Sequence, residues 1–293
     1  GRELGYEPEY IKQAASQLWQ LLSAIVGQKV SKSNLCSILQ RYQTSLTITN
    51  WGEAIDISHF YGRVAELETI EQWIVVSRCR LVGIFGWGGI GKTALSVKLA
   101  RQLESQFEYV VWRSLHHAPM LKDLLDEILP ILTGAEVQES SLGLLMAQLH
   151  QHRCLLVLDN VESILAQGSR CNYLAGYEAY GEMFDRISDE NHQSCIVLTG
   201  REKPNRIGQR EGLNLPVRSI QLQGLSIEAA QQILTDKGLI SPFITQRNLI
   251  NYVQANPLAL KLVATKVQNL FSGDIQAFLA AGTGVFSNLQ DLL

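Results

Sequence analysis

The sequence predicts an α/β fold, in which a parallel sheet is covered by helices on both faces and is followed by a small helical bundle. Two observations lead to this prediction. From residue 80 onward, apolar β-rich runs alternate with helical stretches, and this alternation is typical of strands buried between two helical layers. After residue 225 the β-rich runs stop, and the remaining segments have helical periodicity.

The composition is that of an ordinary globular protein. The chain has 293 residues, of which 46% are hydrophobic and 18% charged, enough for a full-sized core divided among two or three compact units. No apolar run approaches the roughly 18 residues that cross a bilayer, and the start lacks the features of a signal peptide. We therefore predict a cytoplasmic protein without a membrane partner. The cysteines form no C-x-x-C pair, which favours reduced core thiols over disulfides or metal ligands.

The charge balance gives little support to DNA binding. A net charge of −3 argues against a surface built as a whole for nucleic acid. Residues 1–50 hold five Lys or Arg and three Asp or Glu, a net of +2, which leaves −5 for residues 51–293. This difference favours an acidic partner for the N-terminal segment only slightly, and a solvated face explains it equally well.

The N-terminal part predicts helices separated by a linker. Residues 9–26 place apolar side chains at helical spacing behind Pro8, which suits a first helical turn. Residues 34–42 predict a second, shorter helix. Residues 43–58 have a looser pattern and are interpreted as a linker, and residues 60–75 predict the start of another amphipathic helix.

The central part predicts five strands with helices between them. The strands are residues 80–86, 108–115, 153–159, 194–200 and 217–224. The best helical patterns between them are residues 92–107, 119–132, 141–152 and 176–188. The helical bundle that follows is predicted at residues 226–239, 245–254, 257–271 and 275–282.

The stretch GWGGIGKTAL at residues 86–95 contains the pattern G-x-x-x-x-G-K-[ST], with Gly86, Gly91, Lys92 and Thr93 at the fixed positions. It follows an apolar strand and opens a helix, so backbone N–H groups and the helix N-terminus can converge on phosphate oxygens. We expect Lys92 to neutralise the β and γ phosphates and Thr93 to offer its hydroxyl to Mg²⁺. The alternative is a glycine-rich turn without a ligand.

Two polar residues follow other predicted strands at the same edge of the sheet. Asp159 ends an apolar strand, beside the loop, where ligands of open α/β sheets bind, and is the predicted metal-side carboxylate. The alternative is that Asp159 caps the following helix. Arg201 directly follows the strand 194–200 and could reach the γ phosphate, although on spacing alone an ordinary surface arginine explains it equally well.

Four motifs, in this order, resemble the NB-ARC branch of the signal-transduction NTPases, which includes plant resistance proteins. FYGR, with Glu66, resembles the motif that packs on adenine; GWGGIGKTAL resembles the Walker A loop, LLVLDNVE the Walker B strand, and LTGREKP the segment with the sensor arginine. Further on, LQGLSIEAAQQIL resembles the start of the family's helical domain, and ANPLAL its G-x-P motif, here with Pro257. The resemblance covers roughly residues 56–293.

The resemblance implies a P-loop NTPase domain at residues 51–224, with a five-stranded parallel sheet in the order 5-1-4-3-2, and a helical bundle domain at residues 225–293. It implies ATP or ADP with Mg²⁺ as cofactors, and the absence of an N-K-x-D-like sequence agrees with adenine rather than guanine. Thr93 and Asp159 are the implied metal residues, and Lys92, Glu162 and Arg201 the implied catalytic residues. The implied nucleotide-binding residues are Tyr61, Gly62, Arg63, Gly86, Gly88, Gly89, Ile90, Gly91, Lys92, Thr93, Ala94 and Pro257.

Residues 1–50 resemble part of a helix-turn-helix unit. In the sequence of its motifs, the chain is similar to large cyanobacterial NB-ARC proteins that usually continue into a C-terminal WD-repeat propeller. In those relatives a helix-turn-helix-like unit precedes the linker. We therefore expect the chain to be a fragment of a longer protein.

Hydrolysis requires a group that orients or deprotonates water near the γ phosphate. Many NB-ARC members carry an acid directly after the metal aspartate, but this chain has Asn160 there. Glu162 is the nearest acid and the predicted base, although a surface role explains it equally well. In either case we expect slow turnover.

The predicted function is an ATP/ADP-dependent signalling switch that acts through protein partners and nucleotide-dependent self-association. One alternative is a DNA-binding regulator controlled by its NTPase part, for which DNA is the weaker candidate partner. The other is an NTP-driven motor enzyme.

Overall fold

The computed structural model describes residues 8–35, 38, 47–166 and 172–281, with side chains from residue 15 onward. The chain divides into two compact units, and the division lies after Thr47. Among the described residues, no helix combines the length and the apolar character that a membrane crossing requires.

The N-terminal unit contains one long described helix, α1 (Pro8–Val26), which begins at the proline that the sequence predicted. The Ser23 hydroxyl donates to the carbonyl of Trp19 at 2.6 Å and accepts the N–H of Val30 at 2.8 Å. This hydroxyl therefore ties the segment after the helix to its last turns. The second predicted helix, at residues 34–42, lies mostly outside the described residues.

The second unit is built on a parallel sheet. Among the described residues it has six strands, in the order β1-β3-β4-β5-β2-β6. The strands are β1 (Ile48–Asn50), β2 (Leu81–Phe85), β3 (Tyr109–Ser114), β4 (Cys154–Asp159), β5 (Cys195–Gly200) and β6 (Val217–Gln221). The five predicted strands are confirmed, and so is their predicted order, because β5 lies between β2 and β4 and pairs with both.

The prediction of a five-stranded sheet was wrong by one strand. Residues 43–58 were interpreted as a linker, but Ile48–Asn50 forms β1 and pairs in parallel with Tyr109–Val111 of β3 at the sheet edge. A strand of three residues is too short to show the alternation by which half-buried strands are recognised. Its stability comes from the backbone bonds to β3, which the local sequence does not encode.

Helices cover both faces of the sheet, as predicted. One face packs against α2 (Val64–Val75) and α3 (Lys92–Leu103), through a core that includes Ile70 and Leu95. The other face packs against α4 (Leu121–Thr133), α5 (Leu142–Gln151) and α6 (Glu178–Asp189). Every residue of β2, β4 and β5 is buried, because side chains on both faces of a central parallel strand meet a helix layer. The short helix α7 (Asn205–Arg210) was not predicted.

The bundle after β6 has its own core. It consists of α8 (Ile227–Asp236), α9 (Phe243–Tyr252), α10 (Pro257–Phe271) and α11 (Ile275–Ala280), which bury a separate apolar cluster. Three of these helices begin with a side-chain cap that accepts backbone N–H groups: Ser226, Asn256 and Asp274. Such caps satisfy N–H groups that would otherwise lack a partner at the first turn.

The described cysteines agree with the predicted core thiols. Cys79, Cys154 and Cys195 are buried and free. Burial raises the pKa of all three thiols, and that of Cys154 reaches about 12. A thiol with a raised pKa is a poor nucleophile at neutral pH, so these residues contribute packing rather than chemistry.

Candidate functional site

The loop at residues 86–91 connects β2 to α3 at the carboxyl edge of the sheet. Gly89 and Gly91 have φ angles of 66° and 100°, which residues with a Cβ rarely adopt. At Gly86 a Cβ would lie 3.1 Å from the carbonyl oxygen of Leu222. The glycines of the motif are thus needed both for the backbone conformation and for the close approach of two chain segments.

The amino group of Lys92 lies inside the loop. The residue is only 7% exposed, and its Nζ donates to the carbonyls of Gly86 at 2.9 Å and Trp87 at 3.0 Å. Burial lowers its pKa, and the carboxylates of Glu162 and Asp159 oppose that effect. An anionic ligand would strongly stabilise a largely buried cation at this place, because charges interact more strongly where water is excluded.

The next three carbonyls of the loop are bonded from outside. Gly88 accepts from Nδ2 of Asn256 at 2.9 Å, Gly89 from the N–H of Leu258 at 3.3 Å, and Ile90 from Nη2 of Arg63 at 3.0 Å. In a planar trans peptide the N–H group points away from the carbonyl before it. We therefore expect the N–H groups of Gly89 and Gly91 to face the opposite side of the loop, as an anion-binding loop requires, whereas the N–H of Ile90 donates to the carbonyl of Trp87 at 3.4 Å.

Thr93 and Asp159 are in direct contact. The Thr93 hydroxyl donates to the Asp159 carboxylate, at 2.9 Å to Oδ1 and 3.0 Å to Oδ2. The Thr199 hydroxyl, at the end of β5, also donates to Asp159 and accepts the N–H of Asn160 at 3.2 Å. Asp159 is 3% exposed. Burial raises its pKa, and the bonds from Thr199 and Thr93 counteract the rise by stabilising the ionised form.

The donor set at Thr93 and Asp159 fits Mg²⁺. A hydroxyl and a carboxylate are hard oxygen ligands, and Mg²⁺ is commonly bound by one or two such groups together with phosphates and water. Among the described residues, no group of three or more His, Cys, Asp and Glu side chains is arranged to hold a metal ion. A metal ion held by Thr93 and Asp159 would take its remaining ligands from water or phosphate oxygens.

Glu162 and Arg201 face each other across the same site. Nε of Arg201 lies 3.7 Å from Oε1 of Glu162, and the Arg201 side chain is 58% exposed. Within the described structure, the other carboxylate oxygen, Oε2, is buried without a hydrogen-bond partner. A buried carboxylate oxygen without a partner calls for an explanation, and a role in binding a water or a ligand is one of them.

Most of the predicted phosphate-side residues line one cavity of about 800 Å³. From the loop and α3 they are Gly88, Gly89, Gly91, Lys92, Thr93 and Ala94, and from the neighbouring strand ends they are Glu162 and Arg201; Asn160, which was not predicted as a site residue, also lines the cavity. Gly86 and Asp159 do not line it: Gly86 lies at the base of the loop, and Asp159 lies behind Thr93. The structure thus brings together residues that are up to 113 positions apart, from Gly88 to Arg201.

The predicted base-side residues meet at a second, smaller cavity of about 160 Å³, whose lining includes Tyr61, Arg63, Ile90, Ala94 and Pro257. The Tyr61 hydroxyl donates to Oδ2 of Asp236 at 2.6 Å. Arg63 is buried, and its guanidinium bonds to Glu66 and to the carbonyls of Ile90 and Gln223.

Arg63 and Gly62 have structural roles that do not depend on a nucleotide. Arg63 links the FYGR motif to the loop and to the segment after β6. Gly62 has a φ of 63° and lies so close to α8 that a Cβ would be 2.8 Å from the Cβ of Ala229.

Sequence reasoning missed two residues of this site, Thr199 and Asn256. An asparagine before a proline is a recognisable N-cap signal, but its bond to Gly88 joins residues 168 positions apart. Thr199 likewise bonds to Asp159 only because β4 and β5 are neighbours in the sheet. Neither contact has a local sequence signal.

Comparison with known families gives two matches. The family model described as the NB-ARC domain matches residues 63–238. A second model, the N-terminal HTH of vWA-MoxR associated proteins, matches residues 1–42.

Among curated proteins, the chain is similar to a WD repeat-containing protein of Nostoc sp., with 42% identity over 264 residues, 84% of this chain and 21% of that protein. It is also similar to the disease resistance protein RRS1 of Arabidopsis thaliana, with 29% identity over 231 residues, 72% of this chain and 15% of that protein. The chain therefore spans about a fifth or less of the length of these relatives.

Two solved structures share the fold. One is a Walker-type ATPase of Pyrococcus abyssi, with a TM-score of 0.53 and 14% identity, over 83% of this chain and 77% of that chain. The other is a signal transduction ATPase with numerous domains and a tetratricopeptide repeat sensor, from Pyrococcus horikoshii, with a TM-score of 0.51 and 18% identity, over 73% of this chain and 31% of that chain.

Proposed function

This chain belongs to the NB-ARC domain family of nucleotide-binding signalling NTPases, and we propose that it is a switch that binds ATP or ADP with Mg²⁺ and hydrolyses ATP slowly. In this proposal the bound nucleotide sets the arrangement of the sheet and the helical bundle, and through it the assembly with protein partners. Nucleotide-dependent self-association is the assembly we expect.

One observation carries the proposal: a single cavity holds a glycine loop, a buried lysine and a threonine that is bonded to a buried aspartate. Each has a distinct task toward a triphosphate. The loop N–H groups and Lys92 would bind phosphate oxygens, and Thr93 with Asp159 would hold Mg²⁺. The metal ion, when bound, neutralises charge on the β and γ phosphates.

Glu162 and Arg201 are proposed to act at the γ phosphate. Arg201 would donate to its oxygens, and Glu162, whose Oε2 is buried without a partner in the described structure, would accept a hydrogen bond from the attacking water. Asn160 stands directly after the metal aspartate and cannot serve as a base. Glu162, whose Oε1 lies 3.7 Å from the Arg201 guanidinium, is then the proposed base, and turnover is expected to be slow, below about 1 s⁻¹.

The test is nucleotide binding and turnover in three variants. Lys92→Ala should abolish ADP uptake in calorimetry with Mg²⁺. Glu162→Gln should keep ADP binding and lower steady-state ATP turnover by about 10² to 10⁴, the usual contribution of a general base. Glu182→Gln, the same exchange at an exposed position of α6, is the control and should behave as wild type.

Two results would contradict the proposal. If the wild type bound no adenine nucleotide, the proposed nucleotide site would be wrong. Turnover well above 1 s⁻¹, the range of ordinary enzymes, would favour a motor enzyme over a switch.

A second candidate concerns the N-terminal unit. The HTH match at residues 1–42 supports a recognition role for this segment, and we propose a protein partner rather than DNA, because a net charge of +2 over residues 1–50 is small for a duplex-binding surface. Fluorescence anisotropy with labelled duplex DNA tests this: we expect no saturable binding near physiological salt, and salt-sensitive saturation would favour the DNA-binding alternative.

A further inference from the structure

The helical bundle contacts the nucleotide loop directly, at the first turn of α10. Nδ2 of Asn256 donates to the carbonyl of Gly88 at 2.9 Å, and the N–H of Leu258 donates to the carbonyl of Gly89 at 3.3 Å. Asn256 is only 5% exposed, whereas its acceptor Gly88 is partly exposed and lines the larger cavity. Two successive peptide groups of the loop are therefore held by the bundle.

The Asn256 side chain performs two tasks with its two ends. Its Oδ1 accepts the N–H groups of Leu258 at 3.0 Å and Ala259 at 3.1 Å, which caps α10. Serine, threonine or aspartate would cap a helix about as well, but none of these side chains has an amide N–H to donate. The cap alone therefore does not require asparagine, whereas the bond to Gly88 does.

The backbone before Asn256 is strained. Gln254 and Ala255 both have a φ of 52°, a left-handed conformation that non-glycine residues rarely adopt, and almost never in succession. The turn is held from outside by the N–H of Leu225, which donates to the carbonyl of Ala255 at 2.9 Å. Strained backbone persists only where its surroundings fix it, and here the result is to present the Asn256 amide to the loop.

We propose that Asn256 is the positioning residue through which phosphate in the loop controls the docking of the helical bundle. The inference rests on the proposed nucleotide switch and specifies its coupling. Each loop peptide is one rigid plane, so an N–H group fixed on a phosphate also fixes the carbonyl on the other side of that plane. Phosphate bound to the N–H of Gly89 thereby keeps the Gly88 carbonyl directed toward Asn256. If the loop changes its orientation when phosphate is absent, the Gly88 carbonyl no longer accepts the bond from Asn256.

The coupling acts in both directions. A docked bundle stabilises the loop in its phosphate-binding conformation by the same free energy with which phosphate stabilises docking. Asn256 therefore influences nucleotide affinity without touching the nucleotide. In this respect it differs from Pro257, which the family resemblance implies as a nucleotide-binding residue and which lines the smaller cavity.

The test is hydrogen–deuterium exchange of the whole chain, followed by mass spectrometry, with and without saturating ADP and Mg²⁺. In the wild type, ADP should slow exchange both in the loop at residues 86–93 and in α10 at residues 258–263, with one midpoint in ADP concentration. Asn256→Ser keeps a cap but removes the amide donor. In this variant ADP should still slow exchange in the loop as in the wild type. The factor by which ADP slows exchange in α10 should be about tenfold smaller than in the wild type, and ADP should dissociate about tenfold faster.

Asp274→Ser is the matched control. It exchanges the cap of α11, whose bond to the N–H of Ala277 stays within that helix, so both segments should respond as in the wild type. Asn256→Thr provides a second hydroxyl cap if the serine variant folds poorly.

The outcomes separate the two proposals. If both Asn256 variants keep the wild-type response of α10 to ADP, or if loop and α10 respond with different midpoints in the wild type, the coupling role of Asn256 is wrong although nucleotide binding stands. If the wild-type loop does not respond to saturating ADP, the proposed function itself is wrong.

Discussion

Thr199 joins the buried acid of the site to the backbone beside it. Its side chain is completely buried, it donates to Asp159, and it accepts the N–H of Asn160 at 3.2 Å. A buried carboxylate is costly to ionise, and hydrogen bonds to its charged form offset that cost. Thr199 therefore helps Asp159 to remain ionised.

Thr199→Val should weaken both folding and metal-dependent binding. The change keeps the shape of the side chain but leaves the N–H of Asn160 without its partner and removes a donor from Asp159. We expect the free energy of unfolding to fall by about 1–3 kcal/mol, and the pKa of Asp159 to rise further, so that Mg²⁺-dependent ADP binding weakens. Chemical denaturation and calorimetry with and without Mg²⁺ measure the two effects.

Thr199→Ser is the control, because it keeps the hydroxyl and loses only a buried methyl group, which costs about 0.8 kcal/mol. If Val and Ser variants bound ADP equally well in the presence of Mg²⁺, the hydroxyl would have no part in preparing Asp159.

At the scale of elements, the junction between the sheet and the bundle depends on a close approach of two chain segments. Gly224 follows β6, and the space that a Cβ would occupy there is taken by the carbonyl oxygen of Gln254. Gln254 belongs to the strained turn before α10. The absence of a side chain at residue 224 is thus a condition for the position of α10 on the loop.

Gly224→Ala should destabilise the protein, because the added methyl group collides with backbone rather than with a side chain that can move. Overpacking of this kind typically costs about 1–3 kcal/mol, which a lowered midpoint of thermal or urea unfolding would show. Gly208→Ala is the control. Gly208 lies inside α7, where alanine is the better helix former, and its Cβ would be 3.7 Å from Cδ of the Lys203 side chain, which is an ordinary contact distance. Equal stability of both variants would contradict the close approach at Gly224.

At the scale of the whole molecule, the question is whether one phosphate group can shift a population of conformations. Charge-assisted hydrogen bonds contribute about 1.5–3 kcal/mol each, so two bonds, from Lys92 and Arg201 to the γ phosphate, supply about 3–6 kcal/mol. A shift from 1:99 to 99:1 needs about 5.5 kcal/mol of differential affinity. The upper part of the range therefore suffices for a nearly complete switch.

Small-angle scattering of the intact chain should consequently differ between the ADP state and the state with a non-hydrolysable ATP analogue. The reason is that only the analogue offers a γ phosphate to Arg201, and a ligand shifts an equilibrium only by its differential affinity. Lys92→Ala should give one profile under both conditions. Superimposable profiles for the wild type, at nucleotide concentrations shown to saturate the site, would exclude a nucleotide-dependent change of shape.

The sequence by itself determined the fold class, the five long strands and the loop with Lys92 and Thr93, because these features have local signals: continuous apolar runs for buried strands, and fixed glycine spacing for a phosphate loop. It also placed Asp159 at the correct sheet edge, where the structure brings it to 2.9 Å from Thr93, although the metal role of both residues stays a prediction.

Only the tertiary structure decided three features: the edge strand β1, the hydroxyl of Thr199 on Asp159, and the amide of Asn256 on Gly88. Each depends on hydrogen bonds between segments that are 40 or more positions apart. Such bonds form because the folded backbone brings the partners together and excludes water from them. The residues next to each partner in the sequence do not indicate this proximity. Local patterns therefore predicted the nucleotide loop but not the long-range hydrogen bonds to it and to Asp159.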